Sequence, residues 1–222
     1  MARLARIVVP NGPHHVIQRG VRSMAIFSND QDRHAYLQLL ATFAQQQAVQ
    51  VWAWCLMPNH VHFVLVPSAP EALARAVGET HRRYTRLVNF RAGVRGHLFQ
   101  ERFHSFPIQQ DRHLLTVVRY IERNPVRAQL ARQAEEYRWS SARHHALGVP
   151  DALMTHSPIR EMAPDWRAFV RNEDDELEPL RRHVRTGRPW GTTEWITSLE
   201  QRLGRPLHPR TGGWPKGRRR TG

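Results

Sequence analysis

Lysine is almost absent from this chain: Lys216 is the single lysine among 33 basic residues, and all the others are arginine. Cysteine is as scarce. Cys55 stands alone, which excludes a disulfide framework and a multi-cysteine zinc module. No apolar run reaches the ~18 residues needed to cross a bilayer. The opening MARLARIVVPNGPHHV has no apolar stretch long enough for a signal peptide, so a cytoplasmic protein is the expectation. Acidic residues are also few, 19 against 33 basic ones, and the resulting charge of +14 calls for a polyanionic partner, nucleic acid first and a membrane surface second. Guanidinium forks suit phosphates and guanine edges, although arginine-rich coding would produce the same bias.

With 222 residues and 41% hydrophobic content, the chain has room for one full domain and a smaller appendage. Residues 14–19 read as a short strand, and Asn29-Asp30 can cap a helix whose apolar positions Tyr36, Leu40 and Phe43 recur at helical spacing. Two β-branched and aromatic runs, VQVWAWCLM and HVHFVLV, are separated by the turn dipeptide Pro58-Asn59. A helix over 71–90 carries His81, Arg82, Arg83 and Arg86 and ends at Gly93 and Gly96. Residues 104–108 form a fourth strand candidate. Asp111 can cap a further helix, which Pro125 stops or kinks. The order βαββαβ followed by a helix predicts an α+β fold: a ferredoxin-like sheet with helices on one face and the other face left free for a site.

Beyond residue 130 the character changes. We expect a first domain over 1–130, a helical packing segment with a charged helix (NEDDELEPLRRHV) over 131–180, and a basic helical extension over 181–222. That last stretch holds eleven Lys or Arg against Glu194 and Glu200. Trp195, Ile196, Leu199 and Leu203 make one apolar helical face between two Gly-Arg-Pro tripeptides, and WPKGRRR follows. Gly-Arg-Pro can thread an arginine into a minor groove or can stop a helix. The one-signed charge favours nucleic-acid contact through Arg188, Arg205, Lys216, Arg218, Arg219 and Arg220.

One constellation carries chemistry. On a strand, residues two apart point the same way, so His60 and His62 share a face while Val61, Phe63 and Leu65 take the other. Two imidazoles at this spacing can share a metal ion, although a bare His-x-His also occurs without any ligand. In the helix that follows Asp111, the apolar stripe is Leu114, Val117, Val118 and Ile121, and Tyr120 lies about 110° from its middle. Asn124 and His113 fall on the same flank as Tyr120. The other tyrosines read as packing residues.

MPNHVHFVL together with YIERNPVRA closely resembles the single-tyrosine HUH transposases, in particular the REP-associated tyrosine transposases that act on repetitive extragenic palindromes in bacteria. VPNGPHHVIQRGVRSMAIF, HLFQERFHSFPI and TGRPWGTTEWITSLEQRLGRPL look like the same subgroup, so the resemblance spans roughly residues 3–209. It implies a single-strand DNA transposase that cleaves and rejoins hairpin-associated DNA through a 5′-phosphotyrosine. Tyr120 is then the nucleophile, with His60, His62 and Asn124 on Mg²⁺ or Mn²⁺; related insertion-sequence enzymes carry a glutamine where Asn124 stands. Imidazole donors alone would also suit zinc. Because the phosphodiester energy stays in the tyrosyl link, a 3′ hydroxyl can reseal DNA without ATP. The resemblance further implies single-stranded and hairpin DNA as partners, no membrane, and a monomer rather than a dimer.

A phenol is mostly protonated at neutral pH, so it needs help to ionise; His113 and Arg127 are its neighbours on the helical wheel, although neither is a secure base, His113 reading equally as an early-turn polar residue and Arg127 as a phosphate contact. Three rivals follow from the same residues. A metal-dependent nuclease would activate water at His60 and His62. A βαββαβ RNA-binding module would need aromatic rings where the third strand shows His60, His62 and Val64. A basic operator-binding regulator leaves the histidine pair unexplained.

Overall fold

The structure, a computed structural model, describes residues 6–171, 180, 183–184 and 186–208. Its centre is the hairpin of β2 (Val49–Met57) and β3 (His60–Pro67), joined by Pro58-Asn59 so that Met57 stands opposite His60. β1 (His14–Arg19) pairs antiparallel with the free edge of β3, and β4 (His104–Pro107) pairs with β1. The resulting order, β2-β3-β1-β4, is that of the expected ferredoxin-like sheet.

α1 (Asp30–Gln46) starts where the Asn29 side chain accepts the Asp32 N–H, and α2 (Ala72–Ala92) ends at Gly93, whose φ of 65° is the left-handed C-cap that glycine adopts without strain. Both helices lie on one face, where Tyr36, Leu40, Leu73, Val77 and Tyr84 pack against Val16, Leu56, Phe63 and Leu65.

The expectation of a free second face is wrong. Trp52, Ala53, Cys55, Met57, Val64 and Val66 are buried there, and such an apolar surface has to be covered. The strand register shifts between Val51 and Ala53, which lets the consecutive residues Trp52 and Ala53 join the same core. The cover is α3 (Arg112–Glu122), through Leu114, Val117, Val118 and Ile121. Asp111 caps it by accepting the His113 N–H. α3 stops at Glu122, and a single turn, α4 (Asn124–Arg127), follows with Pro125 in it.

Segments after residue 130 complete this second core. α5 (Ala142–Leu147), α6 (Ile159–Met162) and α7 (Trp166–Arg171) contribute Ala142, Ile159, Trp166 and Val170. Their anchor is Glu122, fully buried: its carboxylate accepts from Ser141 Oγ at 2.7 Å, His145 Nδ1 at 2.6 Å and Trp166 Nε1 at 2.7 Å. The charged helix expected over NEDDELEPLRRHV falls largely outside the described residues.

Further on, Trp190 exchanges backbone hydrogen bonds with Pro107 and Gln109, extending the β4 edge. α8 (Thr193–Leu203) buries Leu199 against Val9 and Leu207. Leu203, expected on that apolar face, is 36% exposed because the helix lies on the domain through its first two turns. Gly204, at φ 61°, stops α8, so the second Gly-Arg-Pro is a helix stop. Arg188 Nη1 donates to the carbonyls of Leu207 and His208, which ties the two tripeptides together. No described helix is long and apolar enough to cross a membrane.

Candidate active site

The chemistry-bearing residues meet at the turn end of the hairpin. His60 and His62 project from β3 toward α3 with ring centroids 4.9 Å apart, and the Tyr120 ring stands 5.8 Å from that of His62, nearly perpendicular to it. Together with Arg19, Asn124 and Arg127 they line a cavity of about 560 Å³. Tyr120 is on the flank of the α3 stripe, as the periodicity predicts. It is only 8% exposed, because the apolar part of the ring joins the second core while one side faces the cavity.

Each histidine is anchored through Nδ1. That of His60 donates to Asn59 Oδ1 at 2.6 Å, and that of His62 is 3.0 Å from His15 Nε2. Neither Nε2 makes a hydrogen bond among the described residues, and both histidines line the cavity. Burial, with smaller contributions from Arg19 and Arg127, lowers His60 to about 4; burial, then the neighbouring His60 and His15 rings and after them Arg127 and Arg19, pushes His62 well below the ordinary imidazole range. Both rings are therefore neutral near pH 7, the form that donates a lone pair to a metal. Two neutral imidazoles with fixed rings and open Nε2 atoms fit a divalent ion. No cluster of three His, Cys, Asp or Glu side chains that could hold a metal occurs among the described residues, so further donors would be amide, water or phosphate oxygens.

Asn124 reaches the cavity, but its amide is engaged: Nδ2 donates to the carbonyls of Tyr120 and Ile121, and Oδ1 accepts from Arg127 Nη2 at 2.6 Å. Arg127 also stacks over the Tyr120 ring, with its guanidinium carbon 4.2 Å from the centroid. Of the two helpers suggested by the helical wheel, Arg127 is thus in the site. His113 is not: it sits at the start of α3, bonded to Asp111 at 2.7 Å and packed against Trp190.

Sequence reasoning missed His15 and Arg19. Both lie on β1, and their approach depends on the β1–β3 register, in which Ile17 opposes His62 and Arg19 opposes His60. No local period announces a pairing across more than forty residues. A second cavity of about 490 Å³, lined by Arg6, Arg102, Arg188, Arg205 and His208, adjoins the first, since Glu101 and His104 line both. Arg188 and Arg205 are thereby placed beside the site. Lys216, Arg218, Arg219 and Arg220 lie outside the described residues.

The family of IS200-like transposases matches residues 9–124, the stretch from just before β1 through Asn124. The chain belongs to this family. It is accordingly a transposase, an enzyme of DNA strand cleavage and transfer, and the matched stretch contains His60, His62, Tyr120 and Asn124. Among solved structures, a REP-associated tyrosine transposase bound to a REP hairpin is similar with a TM-score of 0.56 at 16% identity, over 71% of this chain and 93% of that one. At that identity the likeness concerns the fold. A transposase assigned provisionally in Deinococcus radiodurans aligns over 55% of this IS200-like transposase and 96% of its own chain, at 19% identity and a TM-score of 0.38, which adds nothing to the argument. No curated protein sequence is similar enough to this transposase to count as a match.

Proposed function

We propose that Tyr120 is the nucleophile of a single-strand DNA endonuclease and ligase, and that His60 and His62 are the protein donors to Mg²⁺ or Mn²⁺. The observation that carries this reading is the convergence of the Tyr120 ring and both imidazoles on one cavity. In the reaction, the Tyr120 oxygen attacks phosphorus and loses its proton to solvent, while the bond to the 3′ oxygen breaks and that oxygen takes up a proton. The products are a 5′-phosphotyrosine and a 3′ hydroxyl, and attack by a 3′ hydroxyl in reverse reseals the strand. When bound, the cation supplies charge neutralisation on a non-bridging phosphate oxygen.

The surrounding residues do the rest. Arg19 and Arg127 make the cavity attractive to a phosphodiester, and the Arg127 guanidinium lies beside the phenol as negative charge develops there. Asn124 adds a donor through the second lone pair of its amide oxygen, the first being held by Arg127.

The DNA is single-stranded with an adjoining hairpin, of REP-like palindromic type. The similar fold with a bound REP hairpin supports this, as do the basic cavity at Arg188 and Arg205 and the arginine-rich residues that follow. In this reading residues 1–130 are the catalytic part of a monomer, the described residues between 131 and 180 pack against it, and residues 181–222 bind DNA. The test is incubation with single-stranded hairpin oligonucleotides and Mn²⁺, read as a protein band shifted by covalent DNA. Tyr120→Phe keeps the ring packing and removes the oxygen, so it should bind the hairpin and form no adduct. Cleavage that persists in Tyr120→Phe would hand the site to a nuclease using activated water.

A further inference from the structure

His60 and His62 present the same nitrogen to the cavity but are held by different kinds of partner. Asn59 Oδ1 can only accept, so the proton of neutral His60 is on Nδ1 and its Nε2 carries the lone pair. The identity of that oxygen is secured by Asn59 Nδ2, which donates to the Ser23 carbonyl. His62 has no such neighbour. The partner of its Nδ1 is another imidazole nitrogen, His15 Nε2 at 3.0 Å, and a hydrogen bond between two neutral imidazoles can run either way.

The two directions have opposite consequences. If His15 donates, the proton of His62 is on Nε2 and this ring cannot ligate a cation. If His62 donates, its Nε2 is free and the proton of His15 must be on Nδ1. His15 is fully buried, and its Nδ1 has no hydrogen-bond partner among the described residues. Its ring lies 27° from the plane of His62, with centroids 5.2 Å apart along that hydrogen bond, and meets the edge of Phe106 at 5.0 Å, so it is held in place while one nitrogen is left without a partner. Polar atoms rarely stay buried and unpartnered without a compensating role.

We infer that His15 is a positioning residue for the cation site: its Nε2 accepts the Nδ1 proton of His62 and so keeps the lone pair of His62 Nε2 on the cavity side. His15 touches neither cation nor DNA and acts entirely through His62. This inference rests on the reading of His60 and His62 as the cation pair. It also accounts for the second histidine of the PHHV motif, which the chemistry at Tyr120 does not otherwise use.

The experiment compares wild type, His15→Gln and His15→Leu. Gln retains an acceptor for His62 Nδ1, whereas Leu fills the space and offers none. Mn²⁺ affinity, read by electron paramagnetic resonance without DNA, should fall about 10- to 100-fold in His15→Leu and recover most of the way in His15→Gln. Hairpin binding without divalent cation should be equal in all three. In the Mg²⁺-saturated wild type, ¹⁵N spectra should show His62 and His15 both protonated on Nδ1, a measurement that needs no variant to fold. Equal Mn²⁺ affinity in His15→Leu and wild type, or a proton on His62 Nε2 in the Mg²⁺ form, would overturn the role of His15 and leave the cation pair standing. A wild type that takes up no Mn²⁺ would overturn the pair itself and this inference with it.

Discussion

Arg127 joins two functions in one side chain, a hydrogen bond to Asn124 Oδ1 and a stack over Tyr120. Its planar fork can do both at once, whereas a lysine ammonium is a point charge on a flexible stem. Arg127→Ala should therefore slow formation of the covalent adduct by about ten- to a hundredfold in single-turnover assays, and Arg127→Lys should not restore it. A lysine variant as fast as wild type would reduce Arg127 to a generic positive charge. The same neighbourhood keeps both histidines in the neutral form that the proposed cation site needs. Burial keeps both rings neutral, and Arg19 and Arg127 push in the same direction.

α3 has to hold Tyr120 opposite β3 with little tolerance, and its own contacts to the sheet are apolar and non-directional. Direction comes from Glu122, two residues beyond Tyr120, which is bonded to Ser141, His145 and Trp166. Removing the carboxylate leaves the buried donors of His145 and Trp166 without an acceptor, and leaves Ser141 Oγ only the longer contact to the Trp54 carbonyl at 3.3 Å. Glu122→Ala should lose about 3 kcal/mol or more of stability, seen as a lower urea midpoint. Adduct formation should fall in the same variant even where it remains folded, because the hold on α3 is weakened. A midpoint equal to wild type would mean that the apolar contacts of α3 are enough. This role also gives the segment after residue 130 a purpose in catalysis, since α5 and α7 supply the partners of Glu122.

The whole molecule carries two predictions. The C-terminal region reads in sequence as a detachable basic extension from Arg181, but Trp190 bonds to the β4 edge and Leu199 and Leu207 bury Val9. A cut before Arg181 would therefore damage the fold, and the informative cut is after His208. It removes Arg210, Lys216, Arg218, Arg219 and Arg220. The dependence of log K on log salt for hairpin binding should flatten by up to about four units, while Tyr120 adduct formation at saturating DNA and low salt persists. An unchanged slope would remove the tail from the DNA interface.

The second concerns acid. Burial lowers His14 to about 4, His15 to about 3 and His81 to about 3, against the ordinary 6.5 of an unfolded chain. Between those values the unfolded state binds the protons, so stability is fully present above pH 6.5 and is lost as pH falls toward 4. At pH 5 each of the three costs about 2 kcal/mol. The urea midpoint should fall steeply from pH 7.5 to pH 5, and a flat profile would mean that these rings charge inside the fold.

Local chemistry in the sequence determined the elements and the groups of the candidate site. Asn29 and Asp111 cap helices because their side chains accept a backbone N–H a few residues on, Pro58-Asn59 turns the hairpin, and the strand period puts His60 and His62 on one face. The helical period sets Tyr120 on the flank of α3. The tertiary structure alone decided what those groups meet. That the second face of the sheet is covered, that His15 and Arg19 reach the histidines, that Arg127 and not His113 joins Tyr120, and that Glu122 anchors α3 all depend on long-range register and packing. Caps, turns and periods are fixed by interactions within a few residues, whereas these contacts join positions tens of residues apart and exist only once the sheet has formed.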